Sequence, residues 1–148
     1  MSDLSERIEK DYLQVYKARD EVRVAVLRLL KTAIKNSEVE LMRPLTDDDV
    51  LDIIIRQVKQ RAESIEQFRA AGRHDLADRE ALEEEILNTY LPAPLTSEEL
   101  AALIDESMAA LSICGLKDMG RLMRSLSSST KGRVSGKELS RLVRERLS

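Results

Sequence analysis

The sequence predicts an all-α protein, and three observations carry that prediction. Apolar residues recur at three- and four-residue intervals through most of its 148 residues. Glycine and proline are scarce, 5 and 3 respectively, so the many tight turns of a β protein cannot be supplied. Ser, Thr and Asp stand ahead of the periodic segments, where a helix N-terminus needs acceptors for its unpaired N–H groups. With aromatics at only 3%, the expected core is aliphatic.

Ser2 and Ser5 precede Leu4, Ile8, Tyr12 and Val15, which predicts a first amphipathic helix to about Ala18. Asp20-Glu21 opens a second, with Val22, Val26, Leu29, Leu30, Ala33 and Ile34 on one side, fading before Pro44. Thr46 caps a third ahead of Asp47-Asp48-Asp49, whose carboxylates suit the positive end of the helix dipole. Val50, Leu51, Ile54, Ile55, Val58, Ala62, Ile65 and Phe68 form its apolar side. Roughly 25 residues at 1.5 Å each make a rod of about 37 Å. Gly72 falls where a left-handed C-terminal cap is needed. A fourth helix starts near Asp75, turns Leu76, Leu82, Ile86 and Leu87 inward and Glu83-Glu84-Glu85 outward, and ends at Tyr90-Leu91.

Pro92-Ala93-Pro94 marks the expected domain boundary, since neither proline can continue a helix from inside it. The expected organisation is an N-terminal helical domain of about four helices over 1–91, a proline-containing linker over 92–95 and a three-helix tail domain over 96–148. Thr96-Ser97-Glu98-Glu99 reads as a capping box opening a fifth helix, with Leu100, Leu103, Ile104, Met108 and Leu111 inward and Cys114-Gly115 closing it. A short sixth helix carries Met119, Leu122, Met123 and Leu126, followed by a polar loop, Ser127–Thr130. Ser135-Gly136-Lys137-Glu138 reads as another capping box, opening a seventh helix with Leu139, Leu142, Val143 and Leu147.

Several function classes are disfavoured. Cys114 is the only cysteine, which excludes an internal disulfide and any multi-thiolate metal site; a small buried apolar role is expected for it. The opening residues are charged and lack an apolar run, and no stretch approaches the ~20 apolar residues of a membrane span. A cytoplasmic protein without a membrane partner is the expectation. Glu80, Glu83, Glu84 and Glu85 have no histidine on their helix, and His74 reads as a surface residue of the turn before it, so no metal site is expected. Gly132 and Gly136 flank only three residues, and Glu138 follows Lys137, so the tail lacks the spacing and the hydroxyl of a nucleotide-binding P-loop. No cofactor is expected.

Charge is distributed unevenly. Residues 44–95 carry six bases and twelve acids, whereas residues 116–148 carry nine bases and three acids. The tail cations Lys117, Arg121, Arg124, Lys131, Arg133 and Lys137 are candidate contacts to RNA phosphates, with Arg28, Lys31 and Lys35 on the second helix as another stripe. No aromatics interleave the tail, so shape and phosphate contact would dominate over base stacking. The acidic pI of about 5.4 argues against DNA or general nucleic-acid binding.

A set of short segments in order carries a family resemblance. These are Leu27-Arg28-Leu29 with Ala33-Ile34-Lys35-Asn36, Lys59-Gln60-Arg61 through Phe68, Ala71-Gly72-Arg73 with Asp75-Leu76, Tyr90-Leu91-Pro92, Lys117-Asp118-Met119-Gly120 and Lys131-Gly132-Arg133. Together they resemble the YqeY family, stand-alone relatives of the C-terminal part of the tRNA amidotransferase B subunit (GatB/YqeY). Ser135 stands where that family often has Asp, and Ser127–Thr130 lacks a proline that many members place there. The resemblance implies an N-terminal helical domain and a tail domain that helps to hold tRNA. The leading expectation is therefore a non-catalytic tRNA-binding or tRNA-amidotransferase-associated protein, with tRNA and the aminoacylation or amidotransferase machinery as partners. Two alternatives stand beside it. Glutamine-dependent amide transfer needs an activated nucleophile, and Cys114 has no identifiable base in the sequence. A protein–protein adaptor would use the long helices as a docking face.

Overall fold

The computed structural model describes residues 2–148. Seven α-helices and one short 3-10 turn organise them, with no strand among the described residues, so the protein is all-α. The chain divides into two compact units, Met1–Leu91 and Pro92–Ser148.

The first unit holds α1 (Asp3–Lys17), α2 (Glu21–Leu41), α3 (Asp47–Ala70) and α4 (His74–Asn88). Each of the first three starts on a polar cap. Ser5 N–H donates to Ser2 Oγ at 3.1 Å, Arg23 N–H to Asp20 Oδ1 at 3.2 Å, and Asp49 N–H to Thr46 Oγ1 at 3.2 Å. Thr46 N–H in turn donates to Asp49 Oδ2 at 2.9 Å, so the reciprocal capping box lies here. At the other end of α3, Gly72 adopts φ +74°, Arg73 N–H reaches Phe68 O at 2.8 Å and Gly72 N–H reaches Arg69 O at 3.1 Å. That is the left-handed cap the sequence calls for, and it satisfies carbonyls the helix leaves open. Ile8, Val26, Leu27, Leu30, Val50, Ile54 and Leu87 form the core of this unit, with Leu45 and Tyr90 closing it.

The second unit holds α5 (Ser97–Leu111), the 3-10 turn Leu116–Asp118, α6 (Met119–Thr130) and α7 (Gly136–Leu147). Its core is aliphatic: Leu100, Ile104, Ile113, Leu122, Leu126, Leu139, Val143 and Leu147. The expected boxes at Thr96 and Ser135 form only their cap halves among the described residues, with Glu99 N–H and Glu138 N–H donating at 3.1 Å each. The two glutamates find arginines instead: Glu99 lies 3.6 Å from Arg133, and Glu138 accepts from Arg141 at 2.7 Å.

Three local expectations are corrected. Ser127–Thr130 is the last turn of α6, not a loop; Ser127 and Thr130 donate back to Arg124 O and Leu126 O at 2.9 and 2.8 Å. These back-bonds let hydroxyl residues stay helical while Leu126 anchors the turn in the core. Cys114 is exposed, not packed, because α5 ends earlier at the left-handed Ser112 and Ile113 takes the core position. Val22, Leu29 and Leu82 were expected inward and are exposed, since narrower arcs of α2 and α4 already fill the available core.

Candidate functional site

The six tail cations do not act alike. Arg133 serves the fold of its own unit: its Nε donates to Ala93 O at 2.9 Å, and its backbone O accepts from Leu95 N–H at 3.0 Å. The proline linker is thereby tied to the turn before α7. Arg121 donates to Leu111 O and sits 3.8 Å from Asp118, which joins α6 to the end of α5. Lys131 is half-buried at the C-cap of α6. Lys117, Arg124 and Lys137 are exposed and make no ion pair among the described residues.

The stripe on α2 is drawn into the packing of α1. Lys31 Nζ lies 3.2 Å from Glu9 and 4.0 Å from the centroid of the Tyr12 ring. Arg28 donates to Tyr12 Oη at 3.4 Å, and that hydrogen bond holds its guanidinium pKa above the ordinary value. Lys35 remains exposed beside Glu38. The arrangement explains why these residues cluster without requiring an external anion.

Two features escape sequence reasoning. The first is an open groove of about 490 Å³ between α2, α3 and α4. Leu29, Phe68 and Leu76 supply its apolar wall, and Arg61, Arg79, Glu80 and Glu83 its charge. Arg61 Nε lies 3.6 Å from Glu83 Oε2, with the two side chains only 11% and 15% exposed. Glu83 is thus no part of a solvated acidic face, because Arg61 draws it inward across the α3–α4 contact. Arg61 was visible beforehand only as part of Lys59-Gln60-Arg61; nothing local announced that it would be buried against a residue on the next helix.

The second feature is the tip of the hairpin joining α2 to α3. Val39, Leu41 and Met42 are 72%, 46% and 89% exposed. Beneath them Arg43 forms a bidentate pair with Asp49, at 2.7 and 3.3 Å, and also donates to Pro44 O at 3.1 Å. The Arg43 guanidinium, followed by the Thr46 N–H, holds the Asp49 carboxyl far below the usual carboxylate range. Leu45 is buried directly behind. No group of three or more His, Cys, Asp or Glu among the described residues could hold a metal ion, and no helix among them is long and apolar enough to cross a membrane.

Among similar proteins, the protein named "Altered inheritance of mitochondria protein 41, mitochondrial" of Eremothecium gossypii is 36% identical over 107 residues, covering 70% of this chain and 58% of that protein. Its namesake in Lachancea thermotolerans is 34% identical, with 70% and 57% covered. The namesake in Pyrenophora tritici-repentis is 28% identical over 143 residues, with 94% and 78% covered. The chain therefore spans little more than half the length of the first two relatives. These names correct two expectations. A tRNA-binding or amidotransferase-associated function is overturned, because the relatives are named for mitochondrial inheritance; of the cations behind that expectation, Arg28, Lys31, Arg121 and Arg133 are engaged by the fold. The cytoplasmic expectation is overturned by the same names, and composition could not have decided it, since a compartment address is read by receptors rather than written in a folded core. Because the match to the Yqey-like proteins runs through both helical units, from residue 5 to residue 147, the chain belongs to the YqeY family.

Proposed function

We propose that this chain is a protein-docking module that seats the tip of its α2–α3 hairpin in an apolar recess of a partner protein. Met42 carries the proposal: it is 89% exposed and holds φ at +55°. A left-handed backbone costs a non-glycine residue roughly 1–2 kcal/mol, and an exposed methionine returns none of that as core packing. Arg19 and Ser112 share the conformation, but their side chains are polar and suit solvent. The methionine thioether adapts readily to an irregular recess. The Arg43–Asp49 pair and the capping box fix the backbone below it, so little ordering entropy is lost on docking. Lys35, Glu38 and Glu40, with the Arg43–Asp49 pair, set charges of both signs next to the tip in the sequence. That mixture suits the polar rim of a protein interface, whereas an anionic membrane selects clustered lysine and arginine. The fungal relatives are named as mitochondrial proteins, which supports a mitochondrial protein as the first partner to look for.

The test is a photo-crosslinking amino acid at position 42 of the full chain, irradiated in cells. A discrete protein adduct is expected, reduced by Val39→Asp and missing when the crosslinker replaces the exposed Glu63. Lipid adducts, or the same products from position 63, would overturn the proposal.

A further inference from the structure

The groove of the first unit is distinct from the hairpin tip and has a different chemistry. Its Arg61 is nearly buried, yet its ion-pair partner Glu83 lies at 3.6 Å, beyond a normal hydrogen bond. Among the described residues Arg61 Nε has no hydrogen-bond partner, and neither has the buried Oε1 of Gln57 one turn earlier on α3. Desolvating a guanidinium and a carboxylate is repaid only by close geometry and further hydrogen bonds, and this pair has neither. A buried donor on Arg61 is therefore left open on a residue that lines a cavity large enough for a small molecule. Arg79 and Glu80 repeat the two signs on the groove lining, while Leu29, Phe68 and Leu76 offer an apolar wall.

We propose that this groove binds a small apolar zwitterion, an α-amino acid or short peptide with an aliphatic or aromatic side chain. Its carboxylate accepts from the Arg61 guanidinium, its ammonium is held by Glu80 and Glu83, and its side chain packs on the apolar wall. A simple anion would meet two carboxylates and a simple cation two guanidiniums; a zwitterion satisfies both signs with no net charge brought in. The pairing also explains why the groove keeps an ion pair too loose to favour folding.

Isothermal titration of the full chain with leucine, phenylalanine, leucyl-leucine and N-acetyl-leucinamide tests this. Saturable binding of at least one zwitterion is expected, with the uncharged N-acetyl-leucinamide at least tenfold weaker. Preference for leucine or for leucyl-leucine distinguishes a free amino acid from a peptide as the source. Arg61→Met should abolish the preference for the zwitterion. The double variant Arg61→Met with Glu83→Met should melt no lower than the wild type, as expected of a pair that adds nothing to folding, and a clearly lower melting temperature would count against the proposal. Leu29→Glu, at a position 56% exposed, should also weaken binding. The proposal is overturned by the absence of saturable binding in the folded wild type, by equal binding of N-acetyl-leucinamide, or by zwitterion binding that survives both Arg61→Met and Leu29→Glu.

Discussion

Tyr90 joins the end of α4 to α1: its phenol donates to Asp11 Oδ2 at 2.6 Å, and the Arg7 guanidinium sits 4.7 Å from its ring centroid. Tyr90→Phe keeps the ring and loses the bond, so denaturant titration should show a loss of about 1 kcal/mol. Burial, reinforced by the bond to Asp11, pushes the phenol pKa upward. The protonated form is thus favoured in the fold, and its contribution is complete below the ordinary phenol value of about 10 and lost as pH rises towards the raised one. The gap between wild type and Tyr90→Phe should be flat at neutral pH and close only in strong alkali. Gly72 tests a different residue-scale term. A Cβ there meets nothing within 4 Å, so Gly72→Ala suffers only the strain of φ +74°. A loss of about 1 kcal/mol is expected. Gly136, equally open but without positive φ, should accept alanine with no loss of stability.

Among the elements, the α2–α3 hairpin concentrates the testable chemistry. Because Asp49 is held ionised by Arg43 and Thr46, its native form binds a proton less readily than the unfolded chain does. Its contribution is therefore present above the ordinary carboxylate value of about 4 and lost as pH falls towards the depressed one. Asp49→Asn should lower the melting temperature at pH 7, and the difference should shrink progressively in acid. Met42→Gly makes the sharper prediction. Releasing the left-handed strain should raise stability by about 1 kcal/mol, while partner capture by the hairpin declines. A variant that gains stability and docks as well as the wild type would remove Met42 from the interface.

At the scale of the whole molecule, two separate aliphatic cores imply two separate vulnerabilities. Leu126 is fully buried in the smaller core, and Leu126→Ala should cost about 2–5 kcal/mol. Hydrogen exchange should then show protection lost across α5–α7 and retained in α1–α4; simultaneous loss in both would show that they unfold as one. The sequence by itself determined the all-α class, where most of the helices begin and the family. These rest on local causes: caps at Thr46 and Ser135, the left-handed glycine after α3, and apolar spacing within single helices. Tertiary structure decided which charges remain available to a ligand. Lys31 and Arg133 look like surface cations in the sequence and become internal braces, while Arg61 and Glu83, on different helices, become a buried pair. It also decided that Leu29 and Met42 face solvent. Helix periodicity sets the direction of a side chain about its own axis, but whether that direction meets water, a charge or a neighbouring helix depends on where the other helices lie.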